Sequence, residues 1–313
     1  MTGSFFDTNV GQVFLAILIV MVAATIVVYI LNWLRPSAEA TSLKLRVRSW
    51  WVMAVVFAVA ISLNRAISLV FFALISFLAL KEYLSLIPTR RTDRSVLLWV
   101  YLAIPIQYLW VGIEAYGMFI IFIPVYMFLF LPVRMLLFGE TTGFLRAAGT
   151  IHWGLMAAVF SLSHAAFLLV LPWYGNPNGG GAGLLLYLVF LTQANDISQY
   201  VWGKFRGRRK VVPKVSPNKT WEGLIGGVAT TILLAVLLAP VLTPVGPAGS
   251  LFAGVLIGLA GFFGDLTISA LKRDLGIKDS GSFIPGHGGV LDRVDSLTYT
   301  APLFFHFVRY FYY

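Results

Sequence analysis

The chain has 313 residues, 59% hydrophobic and only 12% charged, with a net charge of +10 and no cysteine. Soluble domains carry about 25% charged residues, so this composition excludes an ordinary globular domain and defines an integral membrane protein. The missing cysteine excludes thiolate metal sites, disulfides and Cys nucleophiles. The basic residues sit in short loops, which fits membrane topology and anionic lipid rather than nucleic acid.

Apolar runs are predicted as helices at 13–34, 50–64, 66–80, 97–112, 117–138, 148–173, 183–202, 223–243, 250–271 and 297–312. They define an all-α, polytopic protein of about nine to ten transmembrane helices. We read it as one membrane domain, with N-terminal helices over 1–180 and a region over 181–313 that carries the chemistry. The first twelve residues, MTGSFFDTNVGQ, hold Asp7 and no Lys or Arg. The first run is therefore expected to stay as an anchor rather than be cleaved as a signal. The short second and third runs read as a tight hairpin around Asn64 and Arg65, or as partly interfacial helices. Segment 42–48, SLKLRVR, alternates apolar and basic residues; it reads as a juxtamembrane stop signal, or as an attractor of anionic headgroups. Pro105, Pro124 and Pro132 lie inside apolar runs and are expected to kink helices.

The loops after runs one, three, five, seven and nine hold four, four, one, seven and four Lys or Arg residues, 20 of the 23 in the chain. Loops 174–182 and 244–249 hold none. The positive-inside rule then places both termini outside the cytoplasm and the basic loops within it, in an inner membrane. No internal repeat is evident, so the inverted-repeat signature of many secondary transporters is missing.

Three constellations could carry chemistry. Run seven ends in QANDISQYVWGKFRG, with Asn195 and Asp196 about two helical turns from a basic loop. Asp196 reads as a metal ligand beside Asp265, or as a hydrogen-bonded packing residue. The basic loop itself, 203–222, ends in Ser216-Pro-Asn-Lys219-Thr-Trp-Glu222-Gly. Ser216 and Lys219 spell S-x-x-K, as in serine acyl-transfer enzymes, but without a soluble acyl-transfer domain that spelling is chance. In the third constellation, GFFGDLTISALKRDLG, the residues Asp265, Ser269 and Lys272 are spaced i, i+4, i+7 on one helical face, with Arg273 at its edge. An intramembrane acid defaults to function; the plainer alternative is an ion pair of Asp265 with Lys272 or Arg273 that fixes packing. Gly254, Gly258, Gly261 and Gly264 precede it and permit close helix contact.

The loop after that helix, KDSGSFIPGHGGVLDRVDS, has glycines whose amides could face an anion. His287 within it reads as a phosphate donor or as a structural residue. Asp295 is well explained as a helix cap, and Asp292 is the better partner for Asp265 at a metal. Oxygen ligands without clustered histidine favour Mg²⁺ over zinc. His152 and His164 read as core or interfacial residues, Glu114 and Glu140 as interfacial.

The run Ser269-Ala-Leu-Lys272-Arg273, Lys278-Asp279, Pro285-Gly-His287-Gly-Gly-Val-Leu-Asp292-Arg293-Val-Asp295 resembles the signature of the phosphatidate cytidylyltransferases, the CDP-diacylglycerol synthases. Ser216-Pro-Asn-Lys219-Thr-Trp-Glu222-Gly is similar to the second block of that family, and Gly264-Asp265 fits as well. The chain departs from the family at Asp196-Ile197-Ser198-Gln199-Tyr200, where small residues and then Ala-Tyr are usual, which bears on the lipid substrate more than on the reaction. The resemblance implies transfer of CMP from CTP to phosphatidic acid at the cytoplasmic membrane edge, giving CDP-diacylglycerol and pyrophosphate. It further implies Mg²⁺ at Asp265 and Asp292 with Asp196, a monovalent cation such as K⁺ alongside, and a homodimer. Catalytic roles would fall to Asp265, Asp292, Lys272 and Arg273, and substrate binding to Ser216, Lys219, Ser269, Lys278, His287 and Arg293. A different class, a transporter or flippase for an anionic lipid or solute, would use Asp265, Asp196 and Lys272 as an intramembrane site. It would need polar residues through the full depth of the bilayer, whereas here they collect at one side.

Overall fold

A computed structural model describes residues 8–34, 38–62, 64–88, 90, 94–137, 139–281 and 288–313. Each apolar run forms helix, and most of the helices extend beyond their runs. They are α1 (Asn9–Leu34), α2 (Ala38–Ser62), α3 (Arg65–Leu86), α4 (Arg94–Gly112), α5 (Tyr116–Ile121), α6 (Phe128–Leu136), α7 (Phe144–Leu155), α8 (Ser161–Leu168), α9 (Gly180–Arg206), α10 (Trp221–Leu242), α11 (Pro247–Asp274), the single turn α12 (Leu291–Val294) and α13 (Leu297–Tyr312). Wide π turns at Phe122–Met127 and Met156–Phe160 join α5 to α6 and α7 to α8. Pro124 lies in the first of them, where a ring without an N–H disfavours the normal i to i−4 bond.

Among the described residues, eight helical segments are long and apolar enough to cross a membrane. Two of the expected spans are not in that set. Helix α9 has the length, 27 residues, but is interrupted by Asn195, Asp196 and Gln199, and α13 has only 16 residues. The chain is a multi-pass, all-α membrane protein. The α2–α3 connection is a tight hairpin: the Asn64 side chain caps α3 by accepting from the Ala66 amide at 2.7 Å. Arg65 reaches Glu114 at 2.8 Å and the Gly112 carbonyl at 2.9 Å, tying that hairpin to the turn between α4 and α5. Segment 42–48, expected as a flank of the second run, is the start of α2 itself. Residues 81–86, expected as loop, are the last turns of α3.

Helices α9, α10, α11 and α13 form the tight central unit. Close packing between α10 and α11 follows from Gly254: a methyl group there would lie 2.6 Å from the Ile232 Cα. Gly264 does the same one level down, where added carbon would meet the Asp295 carbonyl at 2.6 Å. This close approach brings the α12–α13 junction onto the α11 face that bears Asp265. A buried polar clip sets the register of the unit: Asn195 donates to the Gly258 carbonyl at 3.2 Å and accepts from the Thr231 hydroxyl at 3.1 Å.

Candidate active site

Helix α11 supplies the first acid. Asp265 Oδ1 accepts from the Ser269 hydroxyl at 3.1 Å, as the i, i+4 spacing requires. Its other oxygen, Oδ2, pairs with Lys219 Nζ at 2.7 Å. Lys219 arrives on a short hairpin between α9 and α10. There the Trp221 amide donates to the Arg209 carbonyl and the Val211 amide to the Lys219 carbonyl, and Glu222 accepts the amides of Arg208 and Arg209 at 3.0 and 3.2 Å. Thr220 then caps α10 by accepting the Gly223 amide. The Lys219 ammonium also donates to Gln199 Oε1 at 3.3 Å and lies 4.7 Å from the centre of the Phe262 ring. Ser216 lies at the turn of this hairpin, with its carbonyl accepting the Lys219 amide at 3.3 Å.

The second acid is Asp292, buried at the start of α12. Lys272 Nζ donates to its Oδ1 at 2.8 Å, and the Ser280 and Gly289 amides donate to its Oδ2 at 2.9 and 3.0 Å. Burial alone would raise this carboxyl, but the lysine and the two amides outweigh it and hold Asp292 below the usual carboxylate range. The loop reaches Asp292 because α11 is closed off by Gly276, whose φ of +69° suits glycine and lets the Ile277 amide turn back on the Lys272 carbonyl at 2.9 Å.

The two acids expected to share a metal thus each face a lysine, and among the described residues the packing pair of Asp265 with Lys272 or Arg273 does not form. Arg273 braces the hairpin instead, donating to the Val215 carbonyl at 3.3 Å and to the Ile277 carbonyl at 3.2 Å. Lys278 is exposed. His287, with Pro285 and Gly286, falls outside the described residues. His164 is buried among aromatic rings with Nδ1 2.7 Å from the Phe160 carbonyl, and His152 stacks edge-on to Phe128. Both have core-type settings.

A third acid joins the first. Asp295 lies within electrostatic range of Asp265 and Asp196, with Arg293 as the opposing cation. Burial first, and then the two neighbouring carboxylates, push Asp295 well above the usual carboxylate range, which favours its protonated form. Asp196 Oδ2 accepts from the Ser296 hydroxyl at 2.9 Å, while its Oδ1 is buried with no partner among the described residues. Sequence reasoning missed the place of Asp295 in this group, although its i, i+3 spacing from Asp292 was a signal that both turn inward. It also missed Glu82 of α3, which accepts the Leu291 amide at 2.7 Å.

Three hard oxygen acids, one with an orphaned buried oxygen, suit a hard divalent cation. Among the described residues no three acidic or histidine groups form a ready metal cage. The cations set against these acids are Lys219 on Asp265, Lys272 on Asp292 and Arg293 near Asp295.

Paired acids and lysines thus gather where α11, the α9–α10 hairpin and the start of α12 meet in a polytopic helical protein. The sequence model of the cytidylyltransferase family matches residues 44–311, and the chain belongs to that family. It is 49% identical to the uncharacterized protein YnbB of Escherichia coli K12 over 290 residues, 93% of this chain and 95% of that one. It is 46% identical to the phosphatidate cytidylyltransferase of Haemophilus influenzae over 132 residues, 41% of this chain and 46% of that enzyme. With the phosphatidate cytidylyltransferase of Brucella abortus it shares 34% identity over 176 residues, 49% of this chain and 65% of the enzyme. The matches to the named enzymes therefore span about half of each partner or somewhat more.

Proposed function

We propose that this protein transfers CMP from CTP to phosphatidic acid, forming CDP-diacylglycerol and releasing pyrophosphate, at the cytoplasmic face of the inner membrane. The observation that carries this reading is the pair of lysine–carboxylate contacts, Lys219–Asp265 and Lys272–Asp292, which tie the α9–α10 hairpin and the start of α12 to one helix, α11. Each lysine is held by an acid until a phosphate competes for it.

The nucleophile is the lipid phosphomonoester, whose second pKa of about 6 leaves it largely dianionic at neutral pH. No strong general base is needed. A lipid phosphate oxygen bonds to the α-phosphorus of CTP, and the bond from that phosphorus to the oxygen bridging to the β-phosphate breaks, the electron pair leaving with pyrophosphate. The difficulty is bringing two polyanions together. Lys219 and Lys272 offset that charge, Arg293 and Lys278 extend the cationic surface, and Ser216 and Ser269 offer hydroxyl donors at its edge. Asp265, Asp196 and Asp292 would hold Mg²⁺, with Asp292 also keeping Lys272 in place beside it. When bound, Mg²⁺ would neutralise phosphate charge and ease departure of pyrophosphate. A monovalent cation such as K⁺ alongside, and a homodimer, complete the reading.

The test is incubation of the purified protein in detergent with Mg²⁺, labelled CTP and a panel of acceptors: phosphatidic acid, another phospholipid and a polyprenyl phosphate. CDP-diacylglycerol with equimolar pyrophosphate is expected. No nucleotide-linked lipid from any acceptor overturns the reading, and flux of an anionic lipid in vesicles without CTP would replace it with a transporter.

A further inference from the structure

We propose that Glu82 of α3 is a positioning residue for the glycine loop, clamping it so that Asp292 presents Lys272 to the substrate. The contact joins residues 209 positions apart: Glu82 Oε2 accepts the Leu291 amide at 2.7 Å. The other end of the carboxylate fills the space that Gly281 and Gly289 leave vacant. A methyl group on either glycine would fall on Glu82. Gly289 is thus enclosed between two acids, donating its amide to Asp292 Oδ2 at 3.0 Å on one side and lying against Glu82 on the other.

Glu82 stands on fixed ground. Its neighbour Tyr83 is buried, donates to the Thr150 carbonyl at 2.8 Å and packs on Trp153 with ring centres 5.4 Å apart. The Ser85 hydroxyl donates to the Glu82 carbonyl at 2.7 Å. Among the described residues no cation lies within ion-pair distance of Glu82, so an acceptor oxygen, not a charge, is what the loop takes from it. The chain of contacts runs from α3 to Leu291 and Gly289, on to Asp292, and from Asp292 to Lys272 Nζ at 2.8 Å. A loop whose amides are held from both sides keeps one geometry as phosphates arrive; held from one side only, it would lose it.

The activity arm rests on the cytidylyltransferase reading. Full-length wild type, E82Q, E82A, G289A and the E82A/G289A double variant are compared for CDP-lipid formation and for hydrogen exchange of the amides at 280, 281 and 288–291. E82Q keeps an acceptor and is expected within about threefold of wild type, while E82A and G289A each lower kcat/KM for CTP about ten- to a hundredfold. The KM for lipid should be unmoved, and the double variant no worse than E82A, since both changes break one clamp. Loop amides should exchange faster in E82A and G289A and unchanged in E82Q. Wild-type behaviour of E82A, damage in E82Q equal to that in E82A, or additive losses in the double variant would overturn the proposal. Should E82A not purify, the contrast of E82Q with G289A decides. A wild type that makes no CDP-lipid sinks the assigned reaction, and the exchange data alone then judge the clamp.

Discussion

Replacing Asp265 by Asn removes one negative charge while keeping the shape and an oxygen for the Ser269 hydroxyl. The side chains of Lys219 and Asp265 are only 16% and 28% exposed, so their contact is largely shielded from water. Breaking such a pair by removing one partner costs about 3–5 kcal/mol. Lys219 retains Gln199 and the Phe262 ring as secondary partners, which favours the lower end, about 3 kcal/mol. At about 1.4 kcal/mol per tenfold, misplacement of Lys219 alone lowers kcat/KM roughly 100- to 200-fold, and loss of an oxygen ligand to Mg²⁺ deepens the fall. The assay is the initial rate of CDP-lipid formation across a Mg²⁺ titration, with the melting temperature in detergent measured alongside. The protein should still fold with a lowered melting temperature, because the neutral amide offsets part of that cost by relieving the repulsion that Asp265 imposes on Asp295 and Asp196. A rate within tenfold of wild type at every Mg²⁺ concentration would refute the reasoning.

Asp292 is held below the usual carboxylate range, so its stabilisation is present above the ordinary value and disappears as pH falls through the lowered one. Melting from about pH 6 downward should show an acid-side loss in wild type that D292N lacks. Asp295 has the opposite sign: its raised value means that stability is lost as pH rises from the ordinary carboxylate range through it, and D295N should remove that loss from a melting series run with rising pH. Gly264→Ala would press a methyl group to 2.6 Å from the Asp295 carbonyl and 3.0 Å from the Ser296 Cα; it should destabilise the protein by about 1–3 kcal/mol in denaturant titration.

The sequence announced the bundle because apolar runs of membrane length leave few other folds, and the largest boundary shifts came where α2 began early, taking in the basic segment 42–48, and where α3 ran on through Lys81 and Glu82. The π turn at Met156–Phe160 was illegible: Met-Ala-Ala-Val-Phe carries no breaker, and only the packing around it selects the wider turn. Within the site, the Asp265–Ser269 contact was legible from helical spacing, which is a local property. The lysine partners were not, since Lys219 and Lys272 compete for the same acids and the hairpin and loop decide the outcome. Glu82 gave no signal because it stands in a basic flank between Lys81 and a run of arginines, where an acid reads as a solvated charge.

The hairpin that delivers Lys219 is gripped through its main chain: Glu222 takes the amides at 208 and 209, which every residue but proline would still present. Mutational drift there is therefore uncoupled from the reach of Lys219. Descendants of this chain can retune the charge they show to passing headgroups, exchanging arginine for lysine or glutamine, without disturbing alignment at the reaction centre.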